Sequence, residues 1–228
     1  VKDIQHLFPK QVIGLRISAD LAMIQGDFEQ AILLYRQGME MSPHPTLIAG
    51  MSRAYQLTGK GDQAMLLLSD WLATHPDDLL VRQALAETYL QAGEWQQAGE
   101  HYEQIVQRDA RRSAAWNNLA MVHDQLGRPG ALEHARKAYK LDPNSALVND
   151  TLGWLMVKRG DVAEGLKYLR NAQARSPGNL ETRFHIAVAL HRIGFENEAR
   201  SELDEVLAKA GEAIWVDEAR RLFSEIGR

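Results

Sequence analysis

"YQLTGKGDQAMLLL", residues 55–68, places an apolar stretch, a glycine and a second apolar stretch in a row. The arrangement returns as "YLQAGEWQQAGEHY" at 89–102 and "MVKRGDVAEGLKYL" at 156–169. The glycine fixes the register. Gly26, Gly59, Gly93, Gly127, Gly160 and Gly194 stand 33, 34, 34, 33 and 34 residues apart. Self-similarity at this period signals stacked supersecondary units, because one such unit cannot bury its apolar face alone. Aligned on the glycines, six repeats run over 12–44, 45–78, 79–112, 113–145, 146–179 and 180–213.

Each repeat reads as two antiparallel helices, A and B. Small residues (Ser52, Ala86, Ala120, Gly153 and Ala187 on A; Ala64, Ala98, Ala131, Gly165 and Ala199 on B) let the two backbones approach. The register glycine supports a left-handed turn after helix A at little steric cost. Pro43, Pro76, Pro143 and Pro177 punctuate the ends of B helices, while Ala110 and Gly211 stand at that position in the third and sixth repeats. The fourth repeat, "GRPGALEHA", is one residue shorter between its glycine and the small residue of helix B. A tighter turn is expected there, with Pro129 near the start of helix B.

Residues 1–11 read as the tail of a preceding repeat, with Pro9 placed before the first full repeat as Pro143 is before the fifth. Residues 214–228 read as a C-terminal capping helix, with Ile214, Trp215, Ala219, Leu222, Phe223 and Ile226 on one face and charges on the other. Of the 228 residues, 45% are hydrophobic and 25% charged, the balance of a soluble protein with a packed core. The net charge of −4 lacks the Lys and Arg surplus that displaces phosphate counterions, so nucleic acid is not an expected partner. The basic cluster Arg108, Arg111 and Arg112 has Asp109 in its midst and reads as a solvated corner. No apolar run approaches the roughly 20 residues of a membrane span. With no cysteine, disulfides, thiol catalysis and Cys-ligated zinc are excluded.

The 34-residue pattern of W-x2-L-G-x2-Y, A-x3-F and P resembles the tetratricopeptide repeat. The fourth repeat supplies Trp116, Leu119, Ala120, Ala131, Ala135 and Pro143, and the fifth Leu152, Gly153, Met156, Gly165, Leu169, Ala172 and Pro177. The second supplies Met51, Ser52, Tyr55, Ala64, Leu68 and Pro76. The first is weakest, with Ala19, Ala22, Ala31, Tyr35 and Pro43. The resemblance implies an all-α fold, a right-handed superhelical solenoid of about six helix-turn-helix units closed by the capping helix. It also implies that A helices line an inner groove and that certain A positions face a protein or peptide partner. By register these are Arg16, Asp20, Arg53, Gln56, Gln83, Glu87, Asn117, Met121, Asp124, Asp150, Trp154, Val157, His191 and Arg192. Two readings of Trp154 compete. It either anchors a peptide or sugar ring in the groove or packs on the neighbouring helix A, and the second is preferred. Trp71, Trp95 and Trp215 read as core. A subgroup that clamps C-terminal carboxylates of chaperones has lysine, asparagine and arginine where this chain has Arg16, Asp20, Leu80 and Ala84, so no such clamp is expected.

Enzyme signatures are missing. The eight histidines form no i, i+4 metal pair and no H-E-x-x-H motif, and neither G-x-x-x-x-G-K-[ST] nor G-x-S-x-G occurs. No cofactor or metal is expected. The later repeats, with N-N-L-A, A-L-E-x-A, D-T-L-G-W and H-I-A-V-A-L, resemble bacterial repeat proteins of exopolysaccharide and PEP-CTERM systems. That narrower likeness implies a scaffold in the periplasm or at the outer membrane, serving polysaccharide or protein export. A cytoplasmic adaptor resembling a co-chaperone and a direct glycan-binding solenoid are the alternatives.

Overall fold

The computed structural model describes residues 11–211, 213 and 215–227, and every regular element among them is an α-helix. The expected tail of a preceding repeat lies, but for Gln11, outside the described residues, as does Ile214 of the cap. The helices divide between two compact bodies, one ending at Arg108 and the other starting at Asp109.

In the N-terminal body, α1 (Val12–Gln25) pairs with α2 (Phe28–Met41), α3 (Pro45–Leu57) with α4 (Gly61–Thr74), and α5 (Leu79–Gln91) with α6 (Trp95–Arg108). Each hairpin also packs on the next, through α2 on α3 and α4 on α5. The C-terminal body repeats the scheme with α7 (Ser113–Gln125) and α8 (Ala131–Leu141), α9 (Ala146–Lys158) and α10 (Val162–Arg175), and α11 (Leu180–Arg192) and α12 (Glu196–Lys209). The capping helix α13 (Val216–Ile226) rests on α12 and α11. Its Trp215 stacks on Phe184 at 5.6 Å, closing the apolar cluster of Phe184, Ile186, Leu203 and Val206.

Local chemistry starts and stops these helices where the sequence places the signals. Asp27, Asp78, Ser145 and Asn179 each turn a side-chain oxygen onto backbone N–H groups of the first turn of α2, α5, α9 and α11. All six register glycines have positive φ, between 63° and 95°. That conformation lets the chain reverse within three residues, as Asp27 N–H does by bonding Ala22 O at 2.9 Å. The hairpin contact is closest in the fifth repeat. A Cβ on Gly153 would lie 2.7 Å from the carbonyl oxygen of Gly165, and one on Gly165 would lie 2.6 Å from that of Gly153.

The fourth repeat departs from expectation. Its turn is longer, not tighter: residues 126–130 separate α7 from α8, and α8 has 11 residues where the other B helices have 14. With one residue missing, a helix begun at the usual place would put Ala131 and Ala135 out of phase with α7. The chain instead forgoes the first turn of helix B. Gly130 enters at φ 95°, a second left-handed residue after Gly127, and Pro129 stays outside the helix. His123 fills the space left, with Nδ1 2.7 Å from Pro129 O and its ring edge-on to His134 at 4.6 Å. His134 in turn stacks on Trp116, whose other neighbour is Lys137 at 4.6 Å from the ring centre.

Candidate functional site

In the N-terminal body the A helices α1, α3 and α5 border an open trough of about 770 Å3. Its shape depends on one aromatic from helix B. Tyr35 leaves α2, passes beneath α3 and donates its hydroxyl to Asp20 Oδ1 on α1 at 2.6 Å. The ring has room only because residue 50 is glycine: a Cβ there would lie 2.5 Å from Tyr35 Cζ and 2.8 Å from its hydroxyl oxygen. Burial, then the hydrogen bond and the negative charge of Asp20, push the Tyr35 hydroxyl well above the ordinary tyrosine range, while Arg16 and Arg53 pull the other way. The phenol therefore stays a donor, and Asp20 is held in place with its second oxygen unused by that bond.

Asp20, Arg53, Gln56, Gln83 and Glu87, all expected in the groove, line this trough together. Arg16 lies beside it, near enough to act on Tyr35, without lining it. Gln56 on α3 donates to Thr88 on α5, which ties the two helices across the floor, and within α5 Gln83 donates to Glu87 Oε1 at 2.9 Å. Arg53 is exposed and among the described residues holds no ion pair. The trough also presents Ile24, Leu57 and Leu80, which are 81%, 53% and 43% exposed. Apolar surface is thus left open in a concavity, with the charged and polar groups above around it.

The eight candidates in the C-terminal body are differently disposed. Asn117, Asp150 and Val157, expected on an exposed face, are buried. The cause is the next A helix: α7 packs on α9, and α9 on α11. Asn117 turns its amide toward Met121 Sδ at 3.7 Å, and Val157 joins the cluster around Phe184 and Leu169. Asp150 Oδ1 lies 3.1 Å from His185 Nδ1. Trp154 stacks on that same imidazole at 4.2 Å with 11° between the planes. The tryptophan thus packs on the neighbouring helix A, as preferred from the sequence. Asp124 pairs with Lys158 at 2.6 Å, His191 with Glu196 at 2.8 Å, and Arg192 donates to Val157 O at 2.7 Å. Met121 remains exposed. This face is largely bonded to itself. Trp71 and Trp215, read as core, are half-buried, the former stacked on His75 at 4.0 Å with its indole N–H on Asp78. Trp95 is also half-buried.

The parts played here by Tyr35, Gly50 and His185 escaped the sequence reading, which placed Tyr35 only in the repeat pattern. Tyr35 sits on a B helix, outside the register of groove positions. Its signal was the pairing of a bulky residue with a glycine one repeat on, visible only when the two are compared together. His185 occupies position six of its helix, outside the groove positions that the register gives.

Tetratricopeptide repeat family models match residues 22–88 and 84–146. The TPR repeat-containing protein PA0015 of Pseudomonas aeruginosa is 34% identical over 73 residues, covering 32% of this chain and 67% of that protein. The chain belongs to the tetratricopeptide repeat family. Tetratricopeptide repeat protein 8 of Caenorhabditis elegans is 24% identical over 175 residues, 75% of this chain, which spans only 35% of that relative's length. The crystal structure of the APC/C hetero-tetramer Cut9-Hcn1 is similar in fold, with a TM-score of 0.85 at 16% identity, over 100% of this chain and 45% of that one. Membership of the family accounts for the stacked helical hairpins. Among the described residues no three His, Asp or Glu side chains are grouped to hold a metal ion, and no helix is long and apolar enough to cross a membrane.

Proposed function

We propose that the trough bordered by α1, α3 and α5 holds an extended segment of a partner protein, and that the chain scaffolds a bacterial envelope assembly for exopolysaccharide or protein export. The observation carrying the first half is the combination of exposed Ile24, Leu57 and Leu80 with a fixed polar floor in one concavity. Apolar side chains left open in a cleft, beside polar groups already held in position, suit a ligand that buries its own side chains and keeps its backbone straight. The second half is supported by the likeness of the later repeats to exopolysaccharide-system proteins, and the location proposed with it is the periplasm or the outer membrane.

The test is genetic. The gene is deleted in its host, and exopolysaccharide output is measured with wild-type or Leu57→Asp complementation. Output should fall on deletion, return with the wild type and stay low with the variant, whose exposed side chain leaves folding intact. Unchanged output on deletion would count against the envelope role. Full rescue by Leu57→Asp would count against the trough.

A further inference from the structure

The three A helices that border the trough carry charges of alternating sign at equivalent positions: Asp20 on α1, Arg53 on α3 and Glu87 on α5. Each is nine residues into its repeat, so the three sit in register on successive helices. Packed helices lie about 8–10 Å apart. A polyproline-II chain advances about 9 Å per turn of three residues, and so returns every third side chain to the same face at that spacing. A β-strand does not match, because its period of two sends residues three apart to opposite faces.

Resting on the reading of the trough as a peptide site, we propose that it selects a polyproline-II segment with basic, acidic and basic side chains at every third position. Apolar residues of the segment sit between these charges, against Ile24, Leu57 and Leu80. The acidic side chain pairs with Arg53, the exposed guanidinium at the centre. One flanking cation meets the Asp20 oxygen that Tyr35 does not use. The other meets Glu87, whose remaining oxygen lies beyond the Gln83 hydrogen bond. Arg16, one turn before Asp20 on α1 and outside the trough lining, adds positive charge beside that position, so a further cation next to the one at Asp20 is disfavoured. Bidirectional sign alternation also gives discrimination: a segment with the opposite pattern meets like charge at all three positions.

The probe is a fluorescein-labelled nonapeptide built as Pro-Lys-Leu, Pro-Glu-Leu, Pro-Lys-Leu, with its charge-reversed counterpart as comparison, and binding is read by anisotropy on the whole chain at low salt. The matched peptide should bind about tenfold or more tightly than the reversed one, since three exposed ion pairs at ~0.2–1 kcal/mol each change sign. Arg53→Glu should weaken the matched peptide by about tenfold, and replacing the central glutamate of the peptide with lysine should restore it. Added salt should erode the difference. Equal binding of both peptides, abolished by Ile24→Asp, would overturn the charge pattern while leaving the trough as a site. Binding insensitive to Ile24→Asp would overturn both readings, and no binding of either peptide would overturn the proposed segment. Circular dichroism of each variant separates a lost site from a lost fold.

Discussion

Replacing Gly153 with alanine tests the close backbone approach of α9 and α10 in the fifth repeat. The added methyl would start 2.7 Å from the Gly165 carbonyl oxygen and 2.9 Å from Leu169 Cγ. The oxygen belongs to the backbone of α10, so no rotamer change relieves the clash. Reaching an ordinary 3.4 Å contact requires the helices to part by about 0.7 Å. A gap of that size forfeits roughly a quarter to a half of each dispersion well along the interface, which includes Leu152 and Met156. Overpacking of this kind costs about 1–3 kcal/mol. Alanine recovers ~0.5–1 kcal/mol through its helix propensity, and the lack of side-chain relief puts the clash at the upper end, so the net loss is about 2 kcal/mol. For a chain of this length that lowers Tm by roughly 4–8 °C. Gly165→Ala should act alike, and the double variant should lose less than the two singles together, because the helices need to part only once. Gly61→Ala is the control: it opens α4, a Cβ there meets nothing within 4 Å, and stability should hold or rise slightly. Thermal and urea unfolding by circular dichroism measure all four. A Gly153→Ala chain as stable as the wild type, or strict additivity in the double variant, would refute the reasoning.

Gly50→Ala should destabilise the N-terminal body through its clash with the Tyr35 ring, and Tyr35→Leu introduced beside it should recover part of the loss, as read by urea midpoints. Tyr35→Phe should cost about 1 kcal/mol by removing the bond to Asp20. The raised pKa of Tyr35 in the folded state means that its contribution is complete below the ordinary tyrosine value of about 10 and is lost as pH climbs toward the folded value. The phenylalanine variant should accordingly show a shallower alkaline loss of stability in denaturation at pH 9–11, together with one fewer late-titrating tyrosine in ultraviolet absorbance. Trp154→Ala should destabilise the C-terminal body by about 2 kcal/mol, since it removes the stack on His185, yet leave peptide affinity in the N-terminal trough unchanged. An affinity that falls with stability intact would return Trp154 to the binding surface.

The repeat and its hairpins were legible because their signals are periodic and local. A left-handed glycine, a cap such as Asp78 or Asn179 and facing small residues all act within one repeat, and six copies in phase reinforce one another. The fourth repeat was misjudged where two local rules met: a deleted residue suggested a shorter turn, whereas keeping Ala131 and Ala135 in phase with α7 shortened the helix instead. The trough was half legible. Register placed Asp20, Arg53, Gln56, Gln83 and Glu87 in it, but the same register placed Asn117, Asp150 and Val157 on a face that their neighbours cover. Exposure depends on how closely the next A helix approaches, and side chains of the adjoining repeat decide that. His185 is such a side chain, bonded to Asp150 and stacked on Trp154 at once.

Tyr35 is encoded in the first repeat and its glycine notch in the second. Arrays of this kind grow and shrink when copies recombine unequally, and most junctions would be tolerated wherever adjoining surfaces are generic. A crossover between these two copies would part the ring from its socket, leaving either a tyrosine against a larger side chain or an empty notch. The first two repeats should therefore be inherited as one block, and the trough-bearing end of the chain should resist the copy-number drift open to the rest.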